Sequence, residues 1–256
     1  MILLLGGTAE AAPIARALMK EGYEVLLSTA TSLPSRDPLP RQVQRRIGVL
    51  DEKALVELIR ARRIRAVVDA THPYSETVSA NAGRACRVTA VPYLGYERPG
   101  VVDDAPDIVW ATDHGHASAL ACSFSRPILL TIGSRHLAPY VSASRDHGVK
   151  IVARVMDEPS SLEYCRHAGL RPEEIVPANG PFSEQHTADL ISRYRIGVLV
   201  TRDSGEAGGV RAKIAAARKA GCRIVVLKRP RNRQDCTHSI PDLVKAVQAL
   251  QPLVPA

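Results

Sequence analysis

Short apolar runs ending at Gly, Thr or Asp alternate with stretches of helical periodicity along almost all of this 256-residue chain, and that rhythm restricts its fold more than any other feature. A strand that buries both faces reads as an unbroken apolar run, and an amphipathic helix between two such strands returns the chain so that they lie parallel. Strands are expected near 2–5, 24–28, 47–50, 66–70 and 91–95, with helices near 10–21, 52–62 and 76–88. Gly22 closes the first helix, and Asp51 suits the N-cap of the second, on which Leu55, Leu58 and Ile59 share a face. The stretch ERPGVVDDAP (97–106) crowds Pro, Gly and Asp where neither element could continue, which places a domain boundary there. Beyond it, strands are expected near 108–111, 127–132, 149–154, 174–177, 197–201 and 223–228, and helices near 115–122, 136–147, 160–169, 183–195 and 209–220. The fold class is therefore α/β, with two Rossmann-like parallel-sheet domains over 1–97 and 98–256 and an amphipathic closing helix, 241–250, that can pack on either.

Composition narrows the function classes. Hydrophobic residues make up 45% and charged residues 23%, the balance of a folded globular protein. No run approaches the roughly 18 uncharged apolar residues of a membrane span, and the apolar N-terminus lacks a cationic flank, so a cytoplasmic protein without membrane contact is expected. Cys86, Cys122, Cys165, Cys222 and Cys236 are scattered with no C-x-x-C pair and read as free thiols. The 34 basic against 26 acidic side chains give a net charge of +8, which attracts phosphates, nucleic acid or polycarboxylates alike.

The first strand runs into LLLGGTAEA (3–11). A dinucleotide-binding turn needs a glycine for the bend, a small residue where backbone meets pyrophosphate, and a small third residue for helix–strand packing. Gly6-x-Thr8-x-x-Ala11 meets this template without its middle glycine; the Thr8 hydroxyl can donate to a phosphate oxygen, and the helix behind supplies unpaired N–H groups. The second strand ends in hydroxyls, Ser28 and Thr29, with no acid to hold a ribose 2′-OH, while Arg36 and Arg41 follow, so NADPH is favoured over NADH. Glu10 counts against, because a carboxylate repels a pyrophosphate unless it points elsewhere.

The fourth strand runs into VVDATHPYS (67–75), which puts Thr71, His72, Pro73 and Tyr74 on the same sheet edge as the opening turn; Asp69 reads as a buried turn former. In the second half, LLTIGSRHLAPY (129–140) and VLVTRDSGEAGG (198–209) repeat the design, with Ser134, Ser204, Gly205 and the pair 208–209 able to present N–H groups to anions. NGPFS (179–183) adds a Gly-Pro corner. DHGH (113–116) is a poor metal site for want of paired carboxylates, and no metal is expected. The motifs of short-chain dehydrogenases, serine hydrolases, zinc proteases and P-loop proteins are absent.

Taken in order, LLLGGTAEA, DATHPYS, LLTIGSR, NGPFS, VTRDSGEAGG with AKIAAA behind it, and VVLKRP make the chain resemble the precorrin-6A reductases of cobalamin biosynthesis, including their cobalt-precorrin-6A relatives, over nearly its whole length. The resemblance implies an NADPH-dependent oxidoreductase that delivers hydride to the C18–C19 double bond of the tetrapyrrole, giving precorrin-6B, in a cleft between the two domains. It assigns Gly6, Gly7, Thr8 and Glu10 to the nucleotide turn and places Thr71, His72, Pro73 and Tyr74 near the nicotinamide end, His72 and Tyr74 as candidate proton donors beside bound water; Ser28, Thr29 and Arg36, from the end of the second strand onward, are the further cofactor contacts expected. Thr131, Gly133, Ser134, Arg135, Ser183, Arg202, Ser204, Gly205 and Lys213 would face the polycarboxylate tetrapyrrole, and transient contact with neighbouring pathway enzymes is a further expectation. Arg202 stands where relatives often have lysine, and an arginine does not readily give up a proton. The alternatives are another NADPH-dependent reductase or epimerase, and a non-catalytic nucleotide- or nucleic-acid-binding protein, which scattered basic residues and 4% aromatics disfavour.

Overall fold

The structure, a computed structural model, describes residues 1–31, 37–180, 182–230 and 236–250. In chain order it runs β1 (Ile2–Leu5), α1 (Ala11–Lys20), β2 (Val25–Thr29), β3 (Gln44–Ile47), α2 (Glu52–Ala61), β4 (Ala66–Asp69), α3 (Glu76–Thr89) and β5 (Tyr93–Tyr96). There follow β6 (Ile108–Ala111), α4 (His114–Ser123), β7 (Ile128–Leu130), α5 (Ala138–Asp146), β8 (Ile151–Val155), α6 (Pro159–His167) and β9 (Ile175–Pro177). Then come α7 (Glu184–Tyr194), β10 (Val198–Arg202), α8 (Val210–Lys219), β11 (Arg223–Leu227), β12 (Cys236–Thr237) and α9 (Ile240–Ala249). These form two compact units, one of Met1–Pro99 with the described residues from Pro230 on, the other of Gly100–Arg229.

β1 shows why the first unit folds as it does. Its four residues are all buried, and they alternate: Ile2 and Leu4 face α1 and α9, packing with Ile14, Leu18, Leu243 and Val247, while Leu3 and Leu5 face α2 and α3, packing with Leu55, Ile59, Ala82 and Ala85. A strand apolar on both faces is stable only with helices on both sides. The sheet order is β12-β5-β4-β1-β2-β3, every pairing parallel, which is the strand order of dinucleotide-binding sheets. The chain builds outward from β1 through β2 to β3, then returns to lay β4 on the other side of β1, so the order reverses between β1 and β4.

The second unit has its own core, in which Leu129, Leu199 and Ile224 from the sheet meet Leu190, Ile191 and Ile214 from α7 and α8. Its order is β6-β11-β10-β7-β8-β9, again parallel, and it reverses between β7 and β10. In open parallel sheets, ligands bind outside the carboxyl ends of the strands at such a reversal.

Two expectations are corrected. The third strand lies at Gln44–Ile47 and not near 47–50, because Gly48 adopts φ +123° and ends it; the apolar cue was misleading, since Ile47 is 51% and Val49 75% exposed on this edge. At the end of the expected 98–256 domain, the described residues from Pro230 on group with the first unit instead: β12 pairs with β5, and the closing helix α9, open to either domain in the sequence, packs against α1.

Candidate functional site

In the first sheet the ends of three strands are in register, Leu5 beside Ser28 on one side and Asp69 on the other, so the loops after β1 and β4 leave from adjacent points. Gly6 lies against the core: a Cβ there would stand 2.6 Å from the Leu27 side chain and 3.1 Å from Ala11. Gly7 is required for a different reason, its φ of +105° with open space around it. Helix α1 then begins without a side-chain cap; its Ala11 amide donates to the Thr8 carbonyl at 3.2 Å and Pro13 carries no N–H, so the Ala12 amide is the first-turn donor left to face a phosphate.

The Thr8 hydroxyl donates to the Ala70 carbonyl at 2.8 Å, tying the loop to the end of β4. Glu10 turns away to pair with Arg98 at 3.3 Å, which removes the objection that it would repel a pyrophosphate. Ser28 is buried at the end of β2, and the Thr29 hydroxyl donates to the Thr31 carbonyl. Arg36 lies outside the described residues.

Asp69 is fully buried and accepts hydrogen bonds from the Thr71 amide (3.0 Å), the Thr71 hydroxyl (2.6 Å) and the Tyr93 hydroxyl (2.6 Å), so it shapes the turn that presents His72. Pro73 is buried, and His72 and Tyr74 are half-buried, their ring centroids 5.7 Å apart. The Tyr74 amide donates to His72 Nδ1 at 3.3 Å, so in the neutral ring the proton sits on Nε2.

The second sheet repeats the plan with other chemistry. Thr131 ties β7 to β10 through its amide and hydroxyl, both donating to the Val200 carbonyl. Gly133 has φ +82°, and a Cβ there would lie 3.3 Å from the Arg202 guanidinium, which brings the two loops at this reversal together. Ser134 is half-buried and Arg135 exposed. Ser183 is the N-cap of α7, accepting from the His186 amide at 3.0 Å. Ser204 is buried against Gly208, and Gly205 has φ +75°. Lys213 is 4% exposed; burial, reinforced by Arg154 and Arg202, pushes its pKa from 10.5 down to about 7.

Arg154 escaped the sequence reading. It is the one charge in the wholly buried strand IVARV, its guanidinium lies 3.8 Å from the Phe182 ring centroid, and burial lowers its pKa to about 10. The signal was present, since a lone arginine inside a central parallel strand is rare without a purpose. His114, from the DHGH stretch, is the other perturbed group of this unit: its ring stacks on His136 at 4.5 Å and shares a hydrogen bond with Tyr140 at 3.0 Å, and burial, with His136 and Arg202, brings its pKa from 6.5 to about 4. Within DHGH, Asp113 caps α4 by accepting from the His116 amide, and no metal-holding cluster occurs among the described residues. Among those residues no helix is long and apolar enough to cross a membrane.

A profile of the precorrin-6x reductase family CbiJ/CobK matches residues 1–248. A cobalt-precorrin-6A reductase of Priestia megaterium is 32% identical over 232 residues, covering 90% of this chain and 91% of its own. A precorrin-6A reductase of Rhodobacter capsulatus is 33% identical over 233 residues, covering 90% and 88%. Among solved structures, a CobK precorrin-6A reductase superposes with a TM-score of 0.78 at 28% identity, covering 98% of this chain and 96% of that one.

Proposed function

Because the chain belongs to the precorrin-6x reductase family CbiJ/CobK, we propose that it is an NADPH-dependent precorrin-6A reductase, reducing the C18–C19 double bond of precorrin-6A or its cobalt form to give precorrin-6B. The observation that carries this reading is the pairing of motifs at each reversal of strand order: the GGTAEA and DATHPY loops at β1 and β4, the TIGSR and DSGEAGG loops at β7 and β10. NADPH supplies the hydride. The first edge suits it: the uncapped start of α1 and the Gly6–Gly7 bend receive a pyrophosphate, and β2 ends in Ser28 and Thr29, with no acid to repel a 2′-phosphate.

The second edge suits the macrocycle. Arg154, Arg202 and Lys213 give it a concentration of basic groups for acetate and propionate side chains. Hydride transfer needs two π-systems held face to face away from water, so most of the protein's contribution is positioning. The proton that completes the reduction is assigned to His72 in its imidazolium form, which gives up one ring proton to the substrate, returns to the neutral ring and is recharged from solvent, with Tyr74 as its neighbour in the same turn. Anaerobic mixing of the protein with NADPH and precorrin-6A tests this reading: loss of the nicotinamide absorbance should match a two-hydrogen mass gain of the tetrapyrrole. NADPH binding without turnover would send the substrate assignment elsewhere.

A further inference from the structure

The second unit buries two basic side chains, Arg154 and Lys213, with a third, Arg202, acting on Lys213. Arg154 extends from β8 over Phe182 and reaches the Thr187 hydroxyl of α7 at 3.4 Å. Lys213 of α8 is almost wholly buried, and the charges acting on it, Arg154 from β8 and Arg202 from β10, are both positive. The acids of the surrounding elements are engaged elsewhere: Glu184 of α7 with Lys219, Glu206 of the turn before α8 with Arg211, and Asp203 after β10 with Arg229. Asp189 of α7 accepts from Gln185, and β11 carries Arg223 alone. Among the described residues, Arg154 and Lys213 have no carboxylate partner. Beside them His186, whose ring lies 5.5 Å from that of Phe182, has a buried Nε2 with no hydrogen-bond partner among those residues.

Buried like charges persist only if one is neutralised or an anion balances them. An arginine keeps its proton, whereas a lysine in such surroundings gives its proton up. Burial and the two arginines leave Lys213 titrating at about 7, within reach of ordinary conditions. An arriving carboxylate reverses the balance, because a negative neighbour favours the charged amine.

We propose that Arg154, Lys213 and Arg202 form a carboxylate site, and that a substrate carboxylate entering it draws one proton from solution onto Lys213 Nζ. The inference rests on the reductase reading for the identity of the carboxylate. No covalent bond changes: the proton leaves the buffer, the amine becomes ammonium, and the carboxylate stays ionised. Substrate affinity then acquires a pH dependence that belongs to binding and not to hydride transfer.

Calorimetric titration with precorrin-6A, anaerobic and without reductant, in buffers of different ionisation heat, counts the protons taken up. Close to one proton per ligand is expected at about pH 8.5, falling at least about fivefold by about pH 6, where Lys213 is already charged. Lys213→Met should lose that uptake and bind roughly tenfold more weakly. Lys213→Arg, permanently charged, should bind without uptake at either pH. A wild-type uptake that stays flat between the two pH values, or one that persists in Lys213→Met, overturns the proposal and leaves the reductase reading standing. Failure of precorrin-6A to bind at all overturns both.

Discussion

Gly7 and His72 sit at the ends of neighbouring strands and have separable duties. Gly7 is fixed by backbone conformation, since its φ of +105° is one that side chains resist while nothing fills the space beside it. Gly7→Ala is expected to cost about 1–3 kcal/mol in urea unfolding and to weaken NADPH binding in a fluorescence titration, because the bend that presents the start of α1 is disturbed. His72→Ala should behave differently, lowering kcat roughly a hundredfold while NADPH affinity changes little; equal losses in both would contradict a chemical role for the imidazole. Motifs at strand ends were legible at this scale because glycines and hydroxyls in loops have few structural alternatives. What each side chain touches was not legible. The Thr8 hydroxyl is held by Ala70, Glu10 is drawn off by Arg98, and Arg154 is a buried cation that no local pattern ties to Phe182, 28 residues on.

At the scale of elements, periodicity located the buried strands and most helices to within a few residues, because each had an apolar face to declare. It failed at β3, an exposed edge strand of Gln, Arg and Ile whose pairing is set by β2 and not by burial. It also left α9 unassigned, since an amphipathic helix states that it needs a partner without naming one. Leu243 of α9 is fully buried in the first unit's core, so Leu243→Ala is expected to cost about 2–5 kcal/mol, read from the denaturant midpoint. Another element-level tie joins α5 to the turn before β9: Glu174 accepts from Arg145 at 2.8 Å and Arg171 at 2.7 Å. Burial pushes the Glu174 carboxyl upward, but the two guanidinium hydrogen bonds outweigh it and hold the pKa at about 2, below the usual 4.5. Because the folded-state value is depressed, the stabilisation is complete above pH 4.5 and is lost as pH falls toward 2. Glu174→Gln should be less stable than wild type at neutral pH, and the two unfolding curves should converge on acidification; a constant gap down to pH 2 would mean that this knot contributes nothing.

For the whole molecule, the two units solve the same problem with one device. Each is a parallel sheet whose order reverses once, and each reversal carries two motif loops, one pair rich in glycine and backbone N–H groups, the other backed by buried basic side chains. We propose that the first edge holds the reductant and the second the polycarboxylate acceptor, in a chain whose reaction is hydride transfer from NADPH to the tetrapyrrole. The most direct test supplies NADPH deuterated at both positions of the transferring carbon to the protein and precorrin-6A in ordinary water. The account predicts that each product molecule gains a single deuterium together with one hydrogen from solvent. A product reduced without deuterium, or deuterated NADPH bound but never consumed, would contradict it.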